Sequence, residues 1–333
     1  MKQYNIGLIG CGEWANRAYL PAIGSCEDFK IVALSGIFPV ELGEKICAEL
    51  KIGQYFERWE DMLECKDLKL DLVIISTPHK FHYEQAKRAL SKGINVHIDK
   101  PPATTLKELH SLIKIAKKSN VSLTVHTQMR CYPTFSIMKD LIRRGKIGDI
   151  YMVSGFFEQR LFDDYRSGWR SKNGLSCGGM TMDSGYHVVD LVEYLLGKGK
   201  IKNIHSLLHN CGLPNDAASA IIYNHDKTLV QIKVVRGVPK SCEQEGIEIY
   251  GSKGYILGSK KKVGGESNYE IAYYDTKTNT RTEFNDPLDP RLIHKQQPLL
   301  ETLQLIRDKN KKETMFNAKN SKNVVEILEA TYS

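Results

Sequence analysis

Tyr4-Asn5-Ile6-Gly7-Leu8-Ile9-Gly10-Cys11-Gly12-Glu13-Trp14-Ala15 is the stretch whose reading decides the fold. Tyr4 to Ile9 reads as an apolar strand, and after the glycines comes a helical pattern through Arg17, Leu20 and Ile23. This is G-x-G-x-x-A in the strand, turn and helix setting that gives it meaning. The glycines let the backbone approach a pyrophosphate, whose charge is favoured at a helix N-terminus. Alone, the same letters also describe an ordinary strand-to-helix turn. The motif's place after the first strand, and the alternation of strands and helices downstream of it, shift the balance to dinucleotide binding by Gly10, Cys11, Gly12, Glu13 and Trp14.

Beyond the glycines, strand and helix patterns alternate: strands at Ile31 to Ser35, Tyr55-Phe56, Leu72 to Ser76, Ile94 to Ile98 and Val121 to His126, with helices at Val40 to Leu50, Trp59 to Cys65, Phe81 to Ser91 and Leu106 to Lys118. Such alternation implies an α/β doubly wound parallel sheet. Ligands bind these sheets at the carboxyl ends of the strands. Three polar groups fall there: Thr77-Pro78-His79 with His82, then Asp99-Lys100-Pro101-Pro102, then His126-Thr127-Gln128. Pro101 favours an extended Lys100, fixing where its ammonium points. On local sequence alone a solvated Lys before a turn is an equal reading. The boundary is placed near Thr127, giving a dinucleotide-binding domain over 1–127 and a second domain over 128–333.

Composition narrows the field. The 333 residues are 41% apolar and 9% aromatic, enough to build one large or two ordinary cores. No run approaches a membrane span and no secretory cleavage site is read. The eight cysteines form no C-x-x-C pair and no zinc-knuckle spacing, so they read as reduced thiols of a cytoplasmic protein. A net charge of +8 is scattered without aromatic interleaving, which argues against nucleic acid and suits an anionic cofactor or substrate.

The second half carries the acid-base candidates. In Gly178-Gly179-Met180-Thr181-Met182-Asp183-Ser184-Gly185-Tyr186-His187-Val188-Val189-Asp190, read as the start of a helix ending before Gly197, Asp183 and His187 are four apart and share a face that Asp190 continues. An imidazole oriented by a carboxylate can move a hydroxyl proton at neutral pH. Isolated, the same pair is more often a surface histidine satisfied by a carboxylate. A helix is expected over Arg130 to Arg144, strands at Tyr151 to Phe157, Ile201 to Leu208, Ala218 to Tyr223, Leu229 to Val235, Ile247 to Tyr250 and Ile271 to Tyr274, and closing helices at Pro298 to Ile306 and Val324 to Ala330.

On these residues the chain resembles the Gfo/Idh/MocA family of sugar and inositol oxidoreductases over nearly its whole length. Asp99-Lys100-Pro101 is similar to that family's Glu-Lys-Pro, and Gly179 to Asp190 to its G-x-x-x-D-x-G-x-H-x-x-D segment. The resemblance implies a Rossmann domain joined to an α/β domain whose open, largely antiparallel sheet often forms an oligomer interface. A homodimer or homotetramer is therefore expected. It implies Lys100, Asp183 and His187 as the catalytic group of an NAD(P)-dependent dehydrogenase acting on a sugar, amino sugar, nucleotide sugar or cyclitol. Trp169 and Arg170 would line the substrate pocket, with Arg130 and Tyr132 as further candidates. Ser35-Gly36-Ile37, Thr77, Pro78, His79, His82, Asp99, Lys100 and Gln128 would face the cofactor. Two departures stand out: Asp99 replaces the usual Glu, and Ser35-Gly36-Ile37 lacks the acid that holds the ribose of NAD, tilting the expectation towards NADP. No metal is expected.

Other chemistries remain open at this level. The fold also serves NAD-dependent glycosidases and non-catalytic dinucleotide or sugar sensors. A metal hydrolase built on Asp183, His187 and Asp190 is the least favoured, for want of a further ligand.

Overall fold

A computed structural model describes residues 2–160, 165–263, 266–284, 293–308 and 313–333. The chain divides into two compact units, one of residues 1–128 with 291–322, the other of 129–290 with 323–333.

In the first unit β1 (Tyr4–Ile9), β2 (Phe29–Ser35), β3 (Gln54–Phe56), β4 (Leu72–Ile75), β5 (Asn95–Asp99) and β6 (Leu123–His126) form an all-parallel sheet in the order β3-β2-β1-β4-β5-β6. This is the doubly wound order, with its switch point between β1 and β4. Leu72, Val73, Ile74 and Ile75 are all fully buried, as a strand covered on both faces requires. The connecting helices are α1 (Leu20–Gly24), α2 (Val40–Leu50), α3 (Trp59–Glu64), α4 (His79–Ser91) and α5 (Leu106–Lys118). Thr105 caps α5 by accepting from the Glu108 amide at 3.2 Å, while the Glu108 carboxylate takes the Thr104 amide.

Two local readings change. The helix after the glycines opens as a π-helical turn, Ala15–Tyr19, because Pro21 has no N–H to offer the regular ladder. Helix α4 begins at His79 rather than Phe81, since the extended Pro78 serves as its N-cap and brings His79 and His82 onto the helix.

The second unit holds α6 (Pro133–Arg143), β7 (Ile150–Gln159), α7 (Asn173–Ser176), α8 (Tyr186–Leu196), β8 (Ile201–His209), β9 (Ala218–His225), β10 (Thr228–Arg236), β11 (Gln244–Gly251), β12 (Gly254–Val263), β13 (Glu266–Asp275) and β14 (Thr280–Glu283). Its sheet runs β14-β13-β12-β11-β7-β10-β9-β8, antiparallel except where β7 meets β10. The α/β class and the largely antiparallel second sheet are as expected. The helix expected from Arg130 starts at Pro133, whose missing N–H suits a first turn, and a 3-10 turn, Gln128–Cys131, precedes it.

A single cut near Thr127 does not describe the two units. Of the two closing helices, α9 (Ile293–Arg307) packs Leu299 and Leu303 into the core of the first unit with Ile6, Leu8 and Tyr19. In α10 (Lys322–Thr331), Val324, Ile327 and Leu328 join the core of the second. The helix itself is legible in its pattern, but which sheet it covers leaves no local trace in sequence.

Candidate active site

In the first unit the candidate residues lie at the carboxyl ends of β1, β4, β5 and β6. Gly10 has φ +87°, and a Cβ there would stand 2.1 Å from the Ser76 carbonyl oxygen, so only glycine fits the crossing of β1 past β4. A Cβ on Gly12 would meet nothing within 4 Å. The loop is thus tight against protein at its first glycine and open at its second, as a backbone that a pyrophosphate must approach requires. Glu13 is exposed and pairs with Arg17, and burial pushes the Cys11 thiol up, keeping it protonated. Trp14 lies edge-on to His126 at 5.5 Å. These residues fit a dinucleotide.

Asp99 ends β5 and Lys100 follows it, both half-buried. The Asp99 carboxylate accepts from Ser76 Oγ at 2.7 Å and from the Tyr19 hydroxyl. The shorter acid thus ties together the ends of β4 and β5 and the turn after Gly12. Burial and the neighbouring Asp99 hold the Tyr19 phenol well above its usual range. His82 is fully buried with Nδ1 2.7 Å from the Pro101 oxygen and Nε2 2.8 Å from that of Thr77. It clamps the segment that carries Lys100. The Lys100–Pro101 peptide is cis. Thr77 donates to Gln85 at 2.7 Å, His79 and Gln128 are buried, and Pro78 is half-buried.

At the end of β2, Ser35 is buried, Ile37 is 97% exposed, and the Tyr55 hydroxyl donates to the oxygens of both Gly36 and Phe38. The register Ser35 to Phe56 brings Arg58, two residues past β3, to the same end of the sheet. Sequence reading did not reach Arg58, which pairs with Glu60 at 3.8 Å, because only strand pairing places it at this end of the sheet.

In the second unit the candidate residues are built on the segment that carries Asp183 and His187. It opens as a π-helical turn, Thr181–Gly185, before α8. Its first amides are held from outside: Gly179 and Thr181 donate to Asp216 at 2.8 Å, and Met182 donates to the Tyr332 hydroxyl at 3.0 Å. The wider turn replaces the regular α-helical stacking of Asp183 and His187 read from their spacing. Asp183 is buried, accepting from Arg170 Nε at 2.7 Å and from the Tyr165 hydroxyl. Arg170 lies over the Trp169 ring at 4.4 Å. Behind them Arg236, also buried, stacks on Tyr165 at 3.9 Å and donates to Ser184 Oγ at 2.7 Å and Gln159 Oε1 at 3.1 Å. Half-buried His187 stacks on Phe157, ring centres 6.0 Å apart.

The readings of Arg130 and Asp190 are corrected. Arg130 is 3% exposed and its guanidinium is bound at two points to Asp190, so it serves the core and not a substrate pocket. Asp190, committed to that cation, leaves the face shared by Asp183 and His187. Tyr132 stacks on Phe135 at 6.1 Å, its hydroxyl pushed up by burial. Tyr165 and Arg236 were missed: Tyr165 sits in a loop without periodicity, whereas an arginine ending an apolar strand was a readable sign.

Lys100 belongs to the first unit and Asp183 and His187 to the second. Among the described residues no helix is long and apolar enough to cross a membrane, and no group of three or more His, Cys, Asp or Glu is arranged to hold a metal.

Known proteins share this architecture. Residues 4–127 match the family model of oxidoreductases with a NAD-binding Rossmann fold, and 135–257 match the GFO/IDH/MocA C-terminal domain. The 1,5-anhydro-D-fructose reductase of Ensifer adhaerens is 23% identical over 86% of this chain and 84% of its own. The scyllo-inositol 2-dehydrogenase (NADP(+)) of Bacillus subtilis is 26% identical over 60% of this chain and 56% of its own. The solved structure of levoglucosan dehydrogenase with NADH and levoglucosan superposes with a TM-score of 0.82 at 18% identity, covering 99% of this chain and 96% of that one.

Proposed function

The chain belongs to the Gfo/Idh/MocA oxidoreductase family, and from that premise we propose that it passes a hydride between a nicotinamide dinucleotide and a carbon bearing a hydroxyl or keto oxygen in a sugar or cyclitol. The carrying observation is Asp183, buried and fixed by Arg170 and Tyr165 in the turn that leads directly to half-buried His187. A side chain held so firmly at the mouth of a helix suits acid-base chemistry better than a solvated face.

Gly10, Gly12 and Trp14 cradle the dinucleotide, which when bound supplies the acceptor or donor of the electron pair. Lys100, held by the Asp99 and His82 contacts on either side of it, donates a hydrogen bond to the reacting oxygen. His187 takes the hydroxyl proton in oxidation and returns it in reduction. Asp183 stabilises the imidazolium formed in between.

For the cofactor we favour NADP, with Arg58 beside the Ser35-Gly36-Ile37 end of β2 meeting the 2′-phosphate. Arg58→Ala should then raise the KM for NADP and leave that for NAD unchanged. The exposed face of the second sheet carries Tyr151 at 59% and Leu207 at 78% exposure, with Ile222 and Leu229 also open. It is the surface we assign to a homodimer.

Measuring nicotinamide absorbance with NAD and NADP against hexoses, sugar phosphates, nucleotide sugars and inositols tests the reaction. Turnover should fall about 100- to 10,000-fold in Lys100→Ala and in His187→Ala. Full turnover in both variants would refute the mechanism, and glycoside hydrolysis without net redox change would replace the reaction.

A further inference from the structure

Strand register in the second unit produces two adjacent cross-strand rows of very different character. The first runs Ile232, Gly155, Ile247, Gly258 and Ile271 across β10, β7, β11, β12 and β13. Its glycines seat the helices: a Cβ at 155 would stand 2.7 Å from Val188 of α8, and one at 258 would stand 2.2 Å from Met138 of α6. Two residues further along the same face, the next row reads Val234, Phe157, Glu245, Lys260 and Tyr269. Phe157 is the residue on which the His187 ring lies, and Glu245 is its direct cross-strand partner.

The change from apolar to charged at this row calls for a reason. Glu245 and Lys260 side chains are 12% and 27% exposed and form an ion pair at 3.4 Å. Lys260 also lies over the Tyr269 ring at 5.8 Å, and Tyr132, just ahead of α6, meets Tyr269 edge-on at 6.5 Å. The Glu245 carboxylate drives the Lys260 ammonium above its usual range, so the lysine keeps its charge. Apolar residues would serve a fold at least as well as a half-buried ion pair. The pair lies in the same row as Phe157, next to the ring on which His187 stacks.

We propose that Glu245 and Lys260, walled by Tyr132 and Tyr269, form a subsite for the hydroxyls of an uncharged polyhydroxylated ring whose reacting carbon lies at His187. The inference rests on the dehydrogenase reading and narrows its substrate class. Glu245 accepts from one hydroxyl and Lys260 donates to the next, while the tyrosine faces pack on the ring. A phosphate or carboxylate in the same place would face the Glu245 charge, and the pair neutralises the cation that would otherwise attract it. Sugar phosphates, uronates and nucleotide sugars bearing charge at that end are excluded.

Steady-state kinetics of the full-length protein with its cofactor, on uncharged pyranoses and cyclitols and on their phosphate and uronate counterparts, tests this. The wild type should turn over uncharged rings. Glu245→Gln and Lys260→Met should each raise KM ~10-fold or more with kcat within about twofold, the loss expected for hydrogen bonds to charged groups. Urea midpoints measured alongside separate this from misfolding, and Glu245→Gln should also narrow the discrimination against phosphates. A wild type that prefers charged substrates, or variants with unchanged KM on an active wild type, would overturn the subsite alone. No turnover by the wild type on any ring would remove the dehydrogenase reading, and the subsite with it.

Discussion

Arg130 and Asp190 join through two hydrogen bonds with 3% and 2% of their side chains exposed, one on the turn before α6 and the other on α8. A pair so thoroughly removed from water is costly to break and cheap to replace. Arg130→Met alone strands a buried carboxylate and should cost about 3–5 kcal/mol of unfolding free energy. Adding Asp190→Leu should restore most of it. Urea unfolding of the two single variants and the double variant checks this, and additive losses would contradict it.

Gly10 and Gly12 should answer to alanine in opposite ways. At Gly10 the new methyl meets the Ser76 carbonyl in a left-handed backbone, so Gly10→Ala should lose about 3 kcal/mol or more of stability. At Gly12 the space is open, so Gly12→Ala should unfold within about 0.5 kcal/mol of the wild type. Its dinucleotide Kd should nonetheless rise ~10-fold or more, because the methyl occupies the approach of the pyrophosphate. Melting curves with and without dinucleotide decide the matter.

His97 makes stability depend on acid. Burial pushes its imidazole down to about 3, within a network where Nδ1 meets Thr124 and Thr302 at 3.0 Å and Nε2 meets His126 at 2.9 Å. In the unfolded chain it titrates near ~6.5. Between those values the unfolded state holds a proton that the folded state does not. Stability should therefore fall as pH drops through that window, by up to about 1.4 kcal/mol per pH unit for this residue. His82, also pushed down by burial, adds to the slope. Urea midpoints from neutral pH to pH ~5 should fall less steeply in His97→Gln than in the wild type, and parallel slopes would dismiss the assignment.

Tyr165 and Arg236 should separate activity from stability. Tyr165→Phe keeps the ring against Arg236 and removes the hydroxyl that donates to Asp183 and accepts from Arg236 Nη2 at 3.2 Å, so kcat should fall by about tenfold while stability falls by no more than about 1–2 kcal/mol. Arg236→Met leaves Ser184 and Gln159 without their donor and should cost about 1–3 kcal/mol in stability. Unfolding curves beside kinetics distinguish them, and a Tyr165→Phe enzyme with unchanged kcat would remove Asp183 orientation from the mechanism.

Legibility in the sequence tracked the range of the forces involved. The parallel sheet was readable because buried strands such as Leu72 to Ile75 and the glycine turn are local patterns. Lys100 and His187 stand out in the sequence because each sits at a strand or helix end marked by Pro or Gly. The docking of α9 on the first sheet, the pairing of Arg130 with Asp190, and the strand register that places Arg58 at the Gly36 end of that sheet all depend on contacts between distant residues. The same holds for the row from Phe157 to Tyr269, whose members are scattered over more than a third of the chain until four strands align.

The packing of α9 onto the first sheet also orders events during synthesis. Leu299, Leu303 and Thr302 reach the core around Tyr19 and His97 only after nearly the whole second unit has been made. A fragment ending at Gln128 would carry every phosphate-binding glycine yet expose the apolar face that α9 covers, so an emerging chain must wait for Ile293–Arg307, sheltered from aggregation, before its nucleotide-binding half is complete.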